Sequence, residues 1–510
     1  MKQYYLGIEF GSTRVKAVLI DGEHRIVKSG DYTWKSSLEN GVWTYHMEDV
    51  QTGLRTAIRN LGELPGAVSA MGISGMMHGY LAFDKDWNLL APFRTWQNTM
   101  TGEAAEQLTA EFGFNIPQRW SIAHLYQAVL NGEAHVKNIA HITTLAGYVH
   151  YLLTGENVLG VGEASGMFPI DSETLDYDAA MLEKFDALLA KYGFAWTARS
   201  VLPKVLMAGQ AAGKLTQVGR TFLEGLLPAG IPFCPPEGDA GTGMTATNAV
   251  APRTGNVSAG TSIFAMVVLE KPLSKVYQEI DMVTTPSGKP VAMVHCNNCT
   301  NDMNAWVSLL GETAKLFGAE VSTGELFTRL YQKSLEGDAD CSGVLTYNYM
   351  AGEGITHLDE GRPMVVRKPE SSFTLANFLR SQLYATMSTL KLGMDILAEE
   401  HVAIDSLTGH GGLFKTPVVG QKYMAAACRA PVTCMESAGE GGPYGMALLA
   451  SYLVQKKDGQ TLEQYLETEV FADVKRTTLA PDPEDAAGFD RYLGWYRSAL
   501  AAETAAVNAF

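Results

Sequence analysis

The sequence predicts an α/β protein of two domains, and three observations carry that expectation. Strand-like and helix-like segments alternate along the chain. A glycine-bearing β-hairpin opens it around Gly11. The same hairpin logic returns after Pro252, around Gly260. A chain of 510 residues is long enough to divide into two or more cores.

Taken in order, residues 4–8 read as a buried strand and residues 15–20 as a second, joined through the small polar turn Gly11-Ser12-Thr13. Asp21-Gly22 is a hairpin signal leading to a third strand around Ile26 and Val27. This opening is not the βαβ start of a Rossmann fold. Residues 48–61 have acidic residues first and apolar residues at helical spacing. Residues 68–73 read as a strand ending in Ser74-Gly75, and residues 101–112 and 123–130 as helices. Residues 201–231 are mixed, with several Gly and Pro.

The second start runs from Gly255 through a Gly/Ser/Thr turn into an apolar strand ending at Leu269. Residues 282–285 and 291–294 flank Pro286-Ser287-Gly288-Lys289-Pro290 as a further hairpin. Residues 373–397 read as one long helix. Residues 404–407 read as a strand followed by Gly409-His410-Gly411-Gly412. Residues 417–428 read as a helix with Thr416 as N-cap and Pro417 at its first position. Residues 432–435 are a strand and 445–453 a helix. The expected division is an N-terminal domain over 1–250, a C-terminal domain over 251–485 and a helical tail over 486–510.

Composition excludes several classes. With 39 Lys and Arg against 55 Asp and Glu, the formal charge is −16, so neither a nucleic acid nor an anionic membrane is an expected partner. A hydrophobic share of 46% with 18% charged residues does not fit a disordered or coiled-coil chain. No stretch approaches the roughly 18 apolar residues of a membrane helix. The N-terminus lacks the apolar segment and cleavage site of a signal peptide. Six cysteines are too few for a disulfide framework at this length. The expectation is a reduced, soluble, cytoplasmic protein. Cys296-Asn297-Asn298-Cys299 forms a CxxC, but Cys341, Cys428 and Cys434 do not supply the second pair a structural zinc site needs. Asn297 and Asn298 follow a strand and carry no assigned role.

Five segments have the chemistry of a phosphoryl-transfer site. The first is Gly7-Ile8-Glu9-Phe10-Gly11-Ser12-Thr13-Arg14-Val15-Lys16. A hairpin of small residues offers backbone N–H groups and hydroxyls to an anion. Glu9 offers oxygen to a Mg²⁺ through water. An ordinary hairpin turn has the same composition. The second, Ser258-Ala259-Gly260-Thr261-Ser262, repeats that chemistry at the matched place; two such hairpins facing each other would clamp the β- and γ-phosphates of a nucleotide. The third, Pro235-Pro236-Glu237-Gly238-Asp239-Ala240-Gly241, holds a carboxylate on a braced loop near the domain change. Such a carboxylate can take the proton of an attacking hydroxyl, although most Gly-Asp sites are turns. The fourth is Gly409-His410-Gly411-Gly412 and the fifth Glu440-Gly441-Gly442-Pro443-Tyr444-Gly445. Both lack side chains where a strand hands over to a helix, so a ring or a phosphate can approach the backbone.

In kind, order and spacing these segments resemble the FGGY family of carbohydrate kinases, of the actin-like ATPase superfamily, from Tyr4 to about Leu453. The resemblance implies two RNase H-like domains around a central cleft, closing to exclude water, with ATP and Mg²⁺ as cofactors and a sugar as substrate. Asp239 is implied as the catalytic base and as a sugar ligand. Glu9 and Asp239 are implied to hold the metal, mainly through water. Gly11, Ser12, Thr13, Arg14 and Lys16 form the implied first phosphate segment, and Gly260, Thr261 and Ser262 the second. Gly409, Gly411, Gly412, Gly441 and Gly442 are implied on the adenine side. The family also allows a homodimer.

Ser74-Gly75-Met76-Met77-His78-Gly79 resembles the Gln-Met-His-Gly motif of xylulokinases, which places Met77 and His78 against a ketopentose. Thr95-Trp96-Gln97-Asn98 is similar to the family's Trp-Asn/Gln-Asp strand end, so Trp96, Gln97 and Asn98 are implied sugar ligands. Physically, Trp96 offers a ring to the sugar's C–H face, while His78, Gln97 and Asn98 offer polar atoms to hydroxyls. Glu163-Ala164-Ser165-Gly166 resembles the xylulokinase Asp-Ala-Ser-Gly segment. Four departures mark a divergent branch. Glu9 replaces the usual Asp, and Asn98 replaces the pocket acid. His124 and Gln127 stand where the family has Lys and Trp. Ala240 follows Asp239 where Asn or Gln is common. The expected reaction is phosphoryl transfer from ATP to a terminal hydroxyl of D-xylulose, with L-ribulose or another sugar or polyol as the alternative. From a different class, an actin-like ATP-binding switch or sugar sensor shares the same residues.

Overall fold

The computed structural model describes residues 2–436 and 441–509. By contact the chain groups into two compact units. The first comprises residues 2–252, 270–291 and 441–474, and the second residues 253–269, 292–436 and 475–509.

The first unit is organised by five strands: β1 (Tyr4–Phe10), β2 (Arg14–Asp21), β3 (Ile26–Thr33), β4 (Val68–Gly75) and β5 (Glu237–Gly238). They lie in the order β5-β4-β1-β2-β3. β1, β2 and β3 form an antiparallel meander, while β4 and β5 run parallel to β1. Leu6, Ile8, Phe10, Val15, Ala17 and Leu19 are fully buried, and the Met47–Arg59 helix closes their face with Val50, Leu54, Ala57 and Ile58.

The Gly441–Gln455 helix also belongs to this unit, although the sequence reading kept it in a C-terminal block ending at 485. Close approach explains its place. It packs on β1, β4 and the Asp239–Ala246 helix. A Cβ at Gly7 would strike the Pro443 carbonyl, one at Gly72 the Met446 side chain, and one at Gly445 the Thr242 carbonyl. Missing side chains on both partners therefore let backbone meet backbone.

The second unit repeats the plan. Its strands are β6 (Thr254–Ala259), β7 (Ile263–Val268), β8 (Pro290–Cys296), β9 (Ser406–Gly411), β10 (Val432–Met435) and β11 (Arg476–Leu479), in the order β8-β7-β6-β9-β10-β11. An antiparallel hairpin with a parallel strand beside its first member is the motif of β1, β2 and β4, here built by β6, β7 and β9. The long expected helix runs Leu375–Glu399, and Thr374 caps it by accepting the Asn377 N–H at 3.2 Å.

Three local expectations change. Asp239 is not on a loop; it is the first residue of the Asp239–Ala246 helix. The expected strand over 404–407 is Ser406–Gly411, so Gly409-His410-Gly411 lies inside β9, paired with β6 up to Ala259 opposite Gly411. The helix expected from Pro417 begins at Val419. Val418 takes a φ of 75°, which turns the chain before the helix, so Thr416 does not cap it.

Among the described residues no helix is long and apolar enough to cross a membrane, and all six cysteines are free. No group of three His, Cys, Asp or Glu side chains converges there to hold a metal.

Candidate active site

Register builds the centre of the first unit. Lys16 on β2, Glu9 on β1, Ser74 on β4 and Glu237 on β5 pair side by side across the sheet. In-register neighbours share a face. Burial pushes the Glu9 carboxyl up to about 8; Asp239 adds to this, and Lys16 pulls it back. Among the described residues Glu9 Oε2 is buried without a hydrogen-bond partner. Gly442 lies directly against that carboxylate, where no Cβ fits.

The turn after Glu9 is fixed by its carbonyls. Gly11 N–H donates to the Arg14 carbonyl at 2.9 Å. Trp34 Nε1–H donates to the Gly11 carbonyl at 2.7 Å, and the Tyr45 hydroxyl to the Ser12 carbonyl at 2.6 Å. The Trp34 and Tyr45 rings pack with centroids 4.3 Å apart. Rigid aromatics therefore hold the turn from one side. Arg14 is exposed and lies 3.6 Å from Asp31.

Asp239 opens its helix, where the dipole favours an acid. Its Oδ1 accepts the Met77 N–H at 3.1 Å, which ties it to the Met-His segment. Desolvation by the protein around it raises the Asp239 carboxyl, against backbone bonds from Met77, Ala240 and its own N–H, although the residue itself is exposed to solvent. Thr242, one turn later, shares a 3.2 Å bond between its Oγ1 and Ser74 Oγ.

Two further carboxyls, both buried, stand beside it. Glu237 Oε2 accepts the Glu163 N–H at 2.9 Å and its Oε1 the Gly162 N–H at 3.4 Å. Burial pushes Glu237 up to about 8 and raises Glu163, with Asp239 and Glu237 adding to the rise at Glu163. Gly160 and Gly162 leave the space that the Glu237 carboxylate fills. Both carboxyls lie inside segments the sequence reading quoted, yet neither was expected in the site. Nothing in a lone Pro-Glu-Gly string announces a buried acid.

His78 has a φ of 70°, and its Nδ1 lies 3.1 Å from the Gly166 carbonyl. A carbonyl only accepts, so Nδ1 carries the proton and Nε2 is the acceptor. Burial first, then Arg119, pushes the ring down to about 3, so it is neutral at any working pH. Trp120 stacks on it at 6.1 Å.

The other expected sugar ligands differ in character. Trp96 is 39% exposed, available for stacking. Gln97 has a buried Oε1 with no hydrogen-bond partner among the described residues. Asn98 is not a free ligand. Its Oδ1 accepts the Trp43 N–H at 2.8 Å, and its Nδ2 donates to the Trp43 and Thr95 carbonyls at 2.8 and 3.0 Å. A buried amide needs such partners, and here they are backbone. Gln127 is likewise spent on the Ala104 N–H and Asn131 Oδ1. His124 is fully buried, with both ring nitrogens unpartnered among the described residues.

In the second unit, Gly260 N–H donates to the Ser262 carbonyl at 2.9 Å, closing the β6–β7 turn. Thr261 is exposed and Ser262 half-buried. Gly409 and Gly411 have packing reasons for lacking side chains. A Cβ at 409 would enter the Phe414 ring; one at 411, where φ is 98°, would meet the Ala259 carbonyl. Gly412 has no such constraint, its nearest atom being 3.9 Å away. Gly441 and Gly442, expected with these adenine-side glycines, group with the first unit, Gly442 lying against Glu9.

Two units that each set a glycine hairpin against a parallel strand define the actin-like ATPase fold. Xylulose kinase from Lactobacillus acidophilus shares it with a TM-score of 0.81 at 17% identity, covering 98% of this chain and 99% of that one. The chain belongs to the FGGY family of carbohydrate kinases: residues 4–244 match its N-terminal domain and residues 255–454 its C-terminal domain. Xylulose kinase from Haemophilus influenzae is 23% identical over 464 residues, 86% of this chain and 89% of that protein. Glycerol kinase from Thermococcus kodakarensis is 27% identical over 291 residues, 53% of this chain. The match spans only about half the length, 54%, of that glycerol kinase.

Proposed function

We propose that the protein is an ATP-dependent sugar kinase that phosphorylates a terminal hydroxyl of a ketopentose, D-xylulose before L-ribulose. The observation that carries the reading is the Asp239 carboxylate, accessible to solvent at a helix start and bonded to the Met77 N–H beside His78. Xylulose kinases among the similar proteins support the ketopentose, and a glycerol kinase among them keeps the acceptor open to test.

In this mechanism Asp239 accepts the proton of the sugar hydroxyl as its oxygen attacks the γ-phosphate. Desolvation by the surrounding protein raises the Asp239 carboxyl and so makes it a better base, while its exposure leaves it open to a sugar hydroxyl. His78 stays neutral and presents Nε2 as an acceptor to a sugar hydroxyl. Trp96 covers the C–H face. The 11–13 turn, held by Trp34 and Tyr45, meets the phosphates with no loop left to order. Within the second unit, residues 260–262 offer a turn suited to nucleotide phosphates, and Gly412 leaves backbone open to a base. An unpartnered, buried Glu9 oxygen beside the charge of Asp239 fits a hydrated divalent cation. Mg²⁺ bound there supplies charge neutralisation at the β- and γ-oxygens. Such a kinase works in the cytoplasm, where ATP is available.

The test is ADP release with Mg-ATP across D-xylulose, L-ribulose, D-ribulose, L-xylulose, glycerol and gluconate, with a no-sugar blank. A preference for one ketopentose is the expected result. A flat panel with ATP still bound would overturn the kinase reading in favour of a switch or sensor.

A further inference from the structure

The Cys296–Cys299 segment, unexplained as a metal or redox motif, has a mechanical place in the second unit. Thr300 donates twice to the Gly260 carbonyl, from its N–H at 3.2 Å and from its Oγ1 at 2.8 Å. Cys299 N–H donates to the Thr261 carbonyl at 3.0 Å. Two of the three carbonyls of the β6–β7 turn are therefore gripped by the chain that leaves β8.

That chain is gripped in turn. Glu353 is 1% exposed, and one oxygen, Oε2, accepts three N–H groups: Asn297 N–H at 3.0 Å, Asn298 N–H at 3.3 Å and Asn298 Nδ2–H at 3.1 Å. Asn298 Oδ1 accepts the Met350 and Ala351 N–H groups at 2.8 and 3.0 Å. Asn348 Nδ2–H donates to the Cys299 carbonyl at 2.8 Å. Glu353 is itself pinned in a tight turn by paired backbone bonds with Leu358. A carboxylate with several N–H donors is a strong, directional anchor.

From this chain of contacts we infer that Glu353 and Asn298 are positioning residues for the 260–262 turn, acting through Cys299 and Thr300 to fix it for a nucleotide phosphate. The inference rests on the proposed nucleotide role of that turn. It assigns function to residues that touch no substrate: Glu353 orients a loop, the loop orients two carbonyls, and the carbonyls fix which way the turn presents Thr261 and Ser262.

Calorimetric titration of the full-length protein with Mg-ATP tests it, alongside KM for ATP and for the sugar. At pH 8 and above Glu353, which burial raises to about 7, is ionised; there Glu353→Gln keeps the shape and removes the charge, so ATP affinity is expected to fall about tenfold, the scale of one charged hydrogen bond. The sugar KM stays at the parent value. Asn298→Ala behaves the same way. Thr300→Val, which removes only the hydroxyl bond to Gly260, weakens ATP by about threefold to tenfold, and combined with Glu353→Gln it is less than additive. Should Glu353→Gln fail to fold, Thr300→Val alone decides. Unchanged ATP affinity in the folded variants overturns the inference. So does an equal shift in ATP and sugar parameters together with the melting temperature, which is the mark of a merely structural role. A parent that binds ATP but turns over no sugar overturns the kinase reading alone, because the affinity comparison still stands. A parent that binds no ATP overturns both.

Discussion

Replacing Gly442 by alanine probes the centre of the first unit more sharply than replacing any side chain in it. The added methyl carbon would overlap Glu9 Oε2, lie 2.6 Å from its carboxyl carbon and lie 2.9 Å from Thr242 Oγ1. Ordinary contact begins at 3.4 Å, so the overlapped Glu9 oxygen must retreat by about 2 Å. Misplacing a group by about 1 Å at a reacting centre already costs about 10²-fold in rate. Stability changes far less. Overpacking costs about 1–3 kcal/mol, and alanine in a helix recovers about 0.8–1.0 kcal/mol relative to glycine. The melting temperature should fall by at most about 9 °C, at roughly 2–4 °C per kcal/mol. The assay is ADP release with saturating sugar and Mg-ATP, beside a thermal melt. Gly441→Ala is the control: φ is 64° there, but no atom lies within 4 Å of the new Cβ. It should lose about 1 kcal/mol of stability and keep its turnover. If Gly442→Ala retains a third or more of the parent kcat, Glu9 is not held in a working position by that contact, and the reasoning fails.

Asp239→Asn should cut turnover by about 10²–10⁴-fold, the share of a general base, while calorimetric ATP affinity stays near the parent's. Equal turnover would remove Asp239 from the chemistry. His78→Phe should raise the sugar KM at least tenfold, the scale of a lost specific hydrogen bond, without moving the ATP KM; parallel changes in both would argue against a sugar contact. Glu237 tests the electrostatics. Its folded value near 8 lies above the ordinary 4.5, so the native state holds a proton that the unfolded chain releases between those values. Stability must then fall as pH rises through that window, on the order of 1 kcal/mol per pH unit. The gap between the urea midpoints of the metal-free protein at pH 5.5 and 7.5 should narrow in Glu237→Gln, the remaining slope being carried by Glu9 and Glu163. An unchanged slope in that variant would mean that Glu237 is not the group holding the proton.

Fold class and the paired hairpins were legible because strand alternation and glycine turns are local signals. Asp239 and the Met77-His78 pair stand out in the sequence for the same reason, as short strings of a few residues, and the structure joins them through the Met77–Asp239 bond. The rest needed three dimensions. Asn98 looks like a sugar ligand until the Trp43 backbone is seen to occupy its amide. Glu163 and Glu237 are separated by 74 positions and are brought together only where β5 and a four-residue helix meet. Gly442 belongs to Glu9, more than 400 residues earlier, and no local pattern encodes that contact. Thr416 and Pro417 look like a helix start, but the left-handed Val418 defers it.

The Gly441–Gln455 helix has a consequence for how the protein is made. It covers β1 and β4, yet about 200 residues separate it from the last residue of the Asp239–Ala246 helix. At roughly 5–20 residues per second, a ribosome needs roughly 10–40 s to cross that gap. Throughout that interval the nascent first unit lacks the cover for Gly7 and Gly72, and its apolar sheet face is open to other chains. A fragment ending near residue 252 keeps that face permanently. The unit is encoded first but completed late, which makes protection of the growing chain part of its folding route.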